Sequence, residues 1–151
     1  MAEQIPDIIS SEEQVARIIF SPSYIHQGRV APTAFRWEVL PSGDVEDYIS
    51  VLRSSFDQIE ENTRFLKPRV EGDTRYGYAL LNVREIRDVG NFFESNITAD
   101  VLAFPSKRFP NHAGIVADID GVRVTAVSPI TPELMMLQKR LAQLCSKIVK
   151  L

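Results

Sequence analysis

The chain has 151 residues, 44% of them hydrophobic and 25% charged, with a formal net charge of −3. That composition excludes a disordered or collagenous chain and fits one globular domain over residues 1–151; the acidic balance disfavours nucleic acid, whose phosphates reward a basic surplus. The single cysteine, Cys145, excludes an intrachain disulfide and a cysteine-cluster metal site.

The chain opens on MAEQIPDIISSEEQ, with acids where a secretory signal carries Lys or Arg. No apolar run approaches the ~20 residues of a membrane span. A cytoplasmic protein without a membrane segment is the expectation. ARIIFSP reads as a short strand or a helix end, and SPSYIHQGRV as a loop carrying His26. In TAFRWEVLPSG, Phe35, Trp37 and Val39 alternate with Arg36 and Glu38 up to a Pro41-Ser42-Gly43 stop, which predicts a strand.

Two stretches read both ways. Over 45–53 the apolar residues fit either a long helix or a strand at Tyr48–Arg53. The β-rich Tyr-Ile-Ser-Val favours the strand, with a helix starting at Ser54 or Ser55 and burying Phe56, Ile59 and Leu66. Over 74–89 a helix capped by Asp73 would align Ala79, Leu80, Val83 and Ile86 and end before Gly90. Gly77 weakens that helix by up to ~1 kcal/mol relative to alanine. Periodicity in such short apolar runs does not separate helix from strand. ADVLAFP then predicts a strand that Pro105 stops.

The C-terminal third is clearer. Asp120-Gly121 is a type I′ turn pair between alternating residues, predicting a β-hairpin at about 113–127. Its register sets Ile119 against Val122, Ala117 against Val124 and Ile115 against Ala126 as a dry face, with Asp118 opposite Arg123 on a mixed face. Thr131-Pro132-Glu133 then gives a cap, a first-turn proline and a first-turn acid. Leu134, Leu137, Leu141, Leu144, Cys145 and Ile148 follow at helical spacing, predicting an amphipathic helix at about 132–149. Its stripe would cover the sheet, a second copy of the chain or a partner protein. The fold class is therefore α+β, with a mixed, mainly antiparallel sheet.

Residues able to do chemistry are few. His112 follows Pro110-Asn111 at a loop–strand junction, and Lys107 and Arg108 precede it in the same loop. Two cations beside a titratable ring make Lys107, Arg108 and His112 the candidate ligand-binding set, suited to a phosphate-bearing ligand. The bland reading has His112 covering Phe109. His26 and His112 lack the third ligand of a metal signature, so no metal is expected. No glycine-rich phosphate loop occurs, and no cofactor is expected. No G-x-S-x-G elbow occurs either. Arg84 with Arg87, and Arg64, Lys67 and Arg69, could grip phosphate, but each set has acidic neighbours that would absorb it. Cys145, in an apolar stripe, reads as an inert buried thiol.

RIIFSPSYI…GRVAPTAFRWEV…YISVLR and NHAGI resemble an uncharacterised family of small bacterial proteins, by loose motifs over perhaps half the chain. That family has no established activity to imply. The chain also resembles ADP-ribosyltransferase-like folds, which place an Arg on an early strand and a Ser on a later one. Here those are Arg17 and Ser50, and no glutamate stands in the corresponding late context. Two functions follow as expectations. One is a binding or accessory module. The other is a nucleotide-handling transferase of ADP-ribosyltransferase-like type, with Arg17, Ser50 and His112 as catalytic candidates around one cleft.

Overall fold

The computed structural model describes residues 5–54, 68, 70–93 and 96–151. Its centre is a seven-stranded sheet built from antiparallel pairs. In chain order the strands are β1 (Gln14–Ser21), β2 (Ile25–His26), β3 (Arg29–Val30), β4 (Ile49–Arg53), β5 (Thr74–Asn82), β6 (Ile97–Ala103), β7 (His112–Ile119), β8 (Val122–Arg123) and β9 (Lys147–Lys150). Two short helices, α1 (Val83–Arg87) and α2 (Val89–Phe92), follow β5, and α3 (Pro132–Leu144) precedes β9. The sheet order is β6-β7-β4-β1-β5-β9, with β8 on β7, and β2 pairs with β3 separately. The α+β class is as the sequence implies. Among the described residues no helix is long and apolar enough to cross a membrane.

The hairpin forms in the expected register, Asp118 against Arg123 and Ile119 against Val122. Asp120 and Gly121 adopt φ of 52° and 78°, the two positive angles of a type I′ turn. Arg123 Nε donates to Asp118 Oδ1 at 2.7 Å. Burial departs from the simple two-face pattern. Ala113 to Ala117 are all buried, Val116 among them, while Val122 is 68% exposed. β7 is an interior strand, paired along its two edges to β6 and β4, whereas β8 is two residues long and leaves Val122 at the surface.

Three expectations need correction. Residues 74–82 are the strand β5, not a helix, and only Val83–Arg87 of that stretch is helical. Gly77 is the explanation. A Cβ there would lie 2.1 Å from the Val149 carbonyl oxygen, so the glycine lets β9 close on β5. Asp73, read as a cap, instead accepts hydrogen bonds from the Ser23 backbone N–H and hydroxyl at 3.2 and 3.0 Å. Second, α3 ends at Leu144, not near 149, and Lys147–Lys150 pairs with Gly77–Leu80 as an edge strand. The apolar stripe ran on because Ile148 faces the sheet edge at a spacing that also fits a helix. Third, Phe35–Val39 forms no ladder beyond one bridge, Val39 to Val45. The stretch 45–53 resolves to the strand β4, whereas the helix expected after Ser54 lies outside the described residues.

The Thr131 cap forms as predicted, its hydroxyl accepting from the Leu134 N–H. Leu134, Leu137, Leu141 and Leu144 are buried within the same chain, and Gln138 Nε2 donates to the Phe35 carbonyl. On the interior strand β4, Arg53 is 1% exposed and makes a bidentate pair with Glu13, Nε to Oε1 at 2.8 Å and Nη2 to Oε2 at 2.9 Å. Burial alone would push the Glu13 carboxyl up. The Arg53 hydrogen bonds, the Ser10 N–H and the charges of Arg53 and Arg87 outweigh it and hold the group below its ordinary value.

Candidate functional site

The sheet is open between two of its strands. β1 pairs with β5 along its whole length, Gln14 to Ser21, but with β4 only at Val15–Arg53 and Ala16–Leu52. Beyond those pairs the strands part. Edge carbonyls left by such an opening need other donors. Arg17 supplies one: its Nη1 donates to the Ser50 carbonyl at 2.9 Å, while its Nε donates to the Ala34 carbonyl, in the turn after β3, at 2.8 Å. A cleft of about 440 Å³ occupies the opening, with Arg17, Ile18 and Phe20 on the β1 side and Ser50, Val51 and Leu52 on the β4 side. That volume is the size of a small-ligand site.

The wall on the β4–β7 side follows from register. Ser50 pairs with Gly114 and Leu52 with His112, and the Phe104 N–H donates to the His112 carbonyl. Alternation therefore puts Tyr48, Ser50, Leu52, Phe104, His112 and Gly114 on one face. Gly114 has a packing role there. A Cβ on it would meet Phe104 Cε2 at 2.7 Å and Tyr48 Cβ at 2.8 Å. Without one, the Tyr48 and Phe104 rings come together, centroids 4.8 Å apart, with the His112 ring edge-on to Tyr48 at 5.9 Å.

His112 is half-buried and engaged at both nitrogens. Its Nδ1 lies 2.9 Å from the Phe104 carbonyl oxygen and its Nε2 3.1 Å from Ser50 Oγ. Burial lowers its pKa, with the Phe104 carbonyl opposing in part, so the ring is neutral at pH 7. A carbonyl can only accept, so Nδ1 carries the proton. Nε2 is then the acceptor, and the Ser50 hydroxyl donates to it.

The lining also carries charge. Tyr24 is buried, its hydroxyl donating to Glu38 Oε1 at 3.4 Å and its ring 5.5 Å from the Arg17 guanidinium carbon. Burial raises the Tyr24 pKa and the Glu38 charge adds to this, against the opposing pull of Arg17. Glu38 and Glu46 are cross-strand neighbours, the Glu46 N–H donating to the Glu38 carbonyl at 3.0 Å, and both line the cleft with Arg36.

The three catalytic candidates, Arg17, Ser50 and His112, thus meet on one cleft. The loop set divides. Ser106, Phe109 and His112 line the cleft, whereas Lys107 and Arg108 are exposed and do not. His26 is exposed on β2, away from the lining. Arg87 is occupied by Asp100, Ser11 and the Ile9 carbonyl, and Arg84 by Glu12; Arg64, Lys67 and Arg69 lie outside the described residues. Burial pushes the Cys145 thiol up to about 12, which leaves it protonated and inert. Among the described residues no three His, Cys, Asp or Glu side chains gather as a metal site.

Sequence reading missed Glu38 and Glu46. Their signal was the Pro41-Ser42-Gly43 turn: pairing Val39 with Val45 across it sets Glu38 opposite Glu46. It also missed Gly114, where a glycine inside a strand marks a close approach. No protein-family model matches the chain, and neither do the curated proteins or the solved structures compared with it.

Proposed function

We propose that the cleft binds a nucleotide and transfers a group from it, as a small enzyme of ADP-ribosyltransferase-like type working in a bacterial cytoplasm. The observation that carries this reading is the convergence of Arg17, Ser50 and His112 on one opening, with the carboxylates of Glu38 and Glu46 in the same lining. Each part has a role that its chemistry suits. The Tyr48 and Phe104 rings offer a flat apolar wall for a base. Arg17, held by the Ala34 and Ser50 carbonyls through Nε and Nη1, places a fixed positive charge in the cleft lining, which suits a diphosphate. In the step proposed, the bond from the ribose carbon to the base nitrogen breaks and its electrons leave with the base. Positive charge develops on the ribose, and the carboxylate of Glu38 or Glu46 stabilises it. An acceptor hydroxyl or amine bonds to the ribose carbon and gives its proton to that carboxylate.

The test is calorimetric titration of the chain with nucleoside mono- and diphosphates and a pyridine dinucleotide. Arg36→Met, an exposed rim position, should weaken binding roughly tenfold or more if it contacts a phosphate, since a charge-assisted bond is worth ~1.5–3 kcal/mol. Absence of heat with every nucleotide overturns the reading.

A second reading, a binding or accessory module, rests on another surface. Ile130, Met135 and Met136 are 81%, 58% and 43% exposed beside the inward leucine stripe of α3. This is where a partner protein or a second copy would dock. Sedimentation at increasing concentration separates the self-association arm from a monomer.

A further inference from the structure

We infer that Ser50 is an activated nucleophile, and that the cleft accepts an ester or similar acyl compound with an aromatic acyl group as a second class of substrate. The inference stands whether or not a nucleotide binds. A serine reacts when a neutral base holds its proton and a third group holds the base in place. All three parts are present. Ser50 Oγ lies 3.1 Å from His112 Nε2. The Phe104 carbonyl, 2.9 Å from His112 Nδ1, fixes the tautomer that leaves Nε2 able to accept. It stands where a carboxylate stands in the better-known triads. Ser50 and His112 sit on adjacent strands in a fixed register, so neither depends on a loop for its position. Both line the cleft and so can reach a bound molecule. The half-buried ring stays neutral at pH 7, which a base requires. The walls name the substrate class: Tyr48, Phe104 and Phe109 favour a flat apolar acyl group over a charged one.

The reaction balances without a cofactor. Ser50 Oγ bonds to the ester carbonyl carbon while its proton passes to His112 Nε2. The carbon–oxygen bond to the alcohol breaks, and the departing alkoxide takes that proton. Water, deprotonated by the same nitrogen, then attacks the acyl-serine, releasing the acid and restoring the hydroxyl.

The experiment incubates the full chain with an aryl-bearing fluorophosphonate and follows intact mass and peptide maps over time, from pH 5 to 9. One adduct on Ser50 is expected, forming faster as pH rises through the depressed His112 pKa and levelling above it. Ser50→Ala should abolish the adduct. His112→Gln should slow it by ~10²-fold or more, the usual worth of a positioned base. Melting curves show whether each variant is folded. Should a variant fail to fold, the wild-type pH profile decides alone. An unlabelled Ser50 in folded wild-type protein overturns the inference. So does labelling whose rate ignores pH across the histidine range, or a folded His112→Gln that reacts at the wild-type rate.

Discussion

Gly114→Ala should damage the cleft wall through one methyl group. The added Cβ would sit 2.7 Å from Phe104 Cε2 and 2.8 Å from Tyr48 Cβ and Cδ2, well inside the 3.4 Å at which ordinary contact begins. The backbone cannot retreat, because β7 is paired to β4 on one side and β6 on the other at this residue. The rings must move instead. Overpacking of this kind costs ~1–3 kcal/mol, and one kcal/mol lowers the melting temperature of a chain this size by ~2–4 °C, so a fall of about 2–12 °C is expected. Thermal unfolding followed by circular dichroism measures it, and the near-ultraviolet spectrum reports the displaced tyrosine. The loss should shrink in a Phe104→Leu background, which removes the nearest atom. An unchanged melting temperature with an unchanged near-ultraviolet spectrum would refute the claim that these rings rest on Gly114.

Leu141→Ala, at a position with no exposed surface, should cost ~2–5 kcal/mol in urea unfolding, with no dependence on protein concentration because the stripe packs within its own chain. Arg53→Met removes the partner of the half-buried Glu13 carboxylate and should lower the urea midpoint, with part recovered in Arg53→Met combined with Glu13→Gln. The depressed Glu13 pKa adds stability that is present above its ordinary value of 4.5 and fades as pH falls through the folded one, a loss that Arg53→Met should largely abolish in acid unfolding curves. The His112 pKa is also depressed, so the unfolded ring takes up a proton near 6.5 while the folded ring resists. Stability should therefore decline as pH falls below 6.5, and His112→Phe should flatten that slope.

What the sequence disclosed and what it concealed divide along physical lines. The hairpin and the start of α3 were legible because their determinants are local: Asp120-Gly121 supplies the turn angles and Thr131-Pro132 the cap. β5 was concealed because its pattern is shared between two geometries, and the residue that decides it, Gly77, acts through β9, about 70 residues later in the chain. The end of α3 was lost for the same reason, since Ile148 satisfies a helical stripe and a sheet edge equally. At the cleft, the chemistry of Arg17, Ser50 and His112 was visible as residue types. Their meeting was an expectation of the enzyme reading, but its cause, β1 leaving β4 after two pairs, was not legible. Lys107 and Arg108 drew attention as charges, yet the loop turns Phe109 and His112 inward and leaves both cations outside. Charge near a site in sequence is a poor guide to the direction a loop will face.

The central claim is that the opening between β1 and β4 is where this protein meets its ligand. The most direct measurement is the nuclear magnetic resonance titration of the two imidazoles with and without nucleotides. His112 lines the cleft, and His26 is an internal control on a separate hairpin. The account predicts that at least one nucleotide shifts the His112 ring resonances and its titration midpoint while those of His26 stay in place. If every nucleotide leaves His112 unmoved, or if His26 responds and His112 does not, the ligand site is elsewhere and the account is wrong.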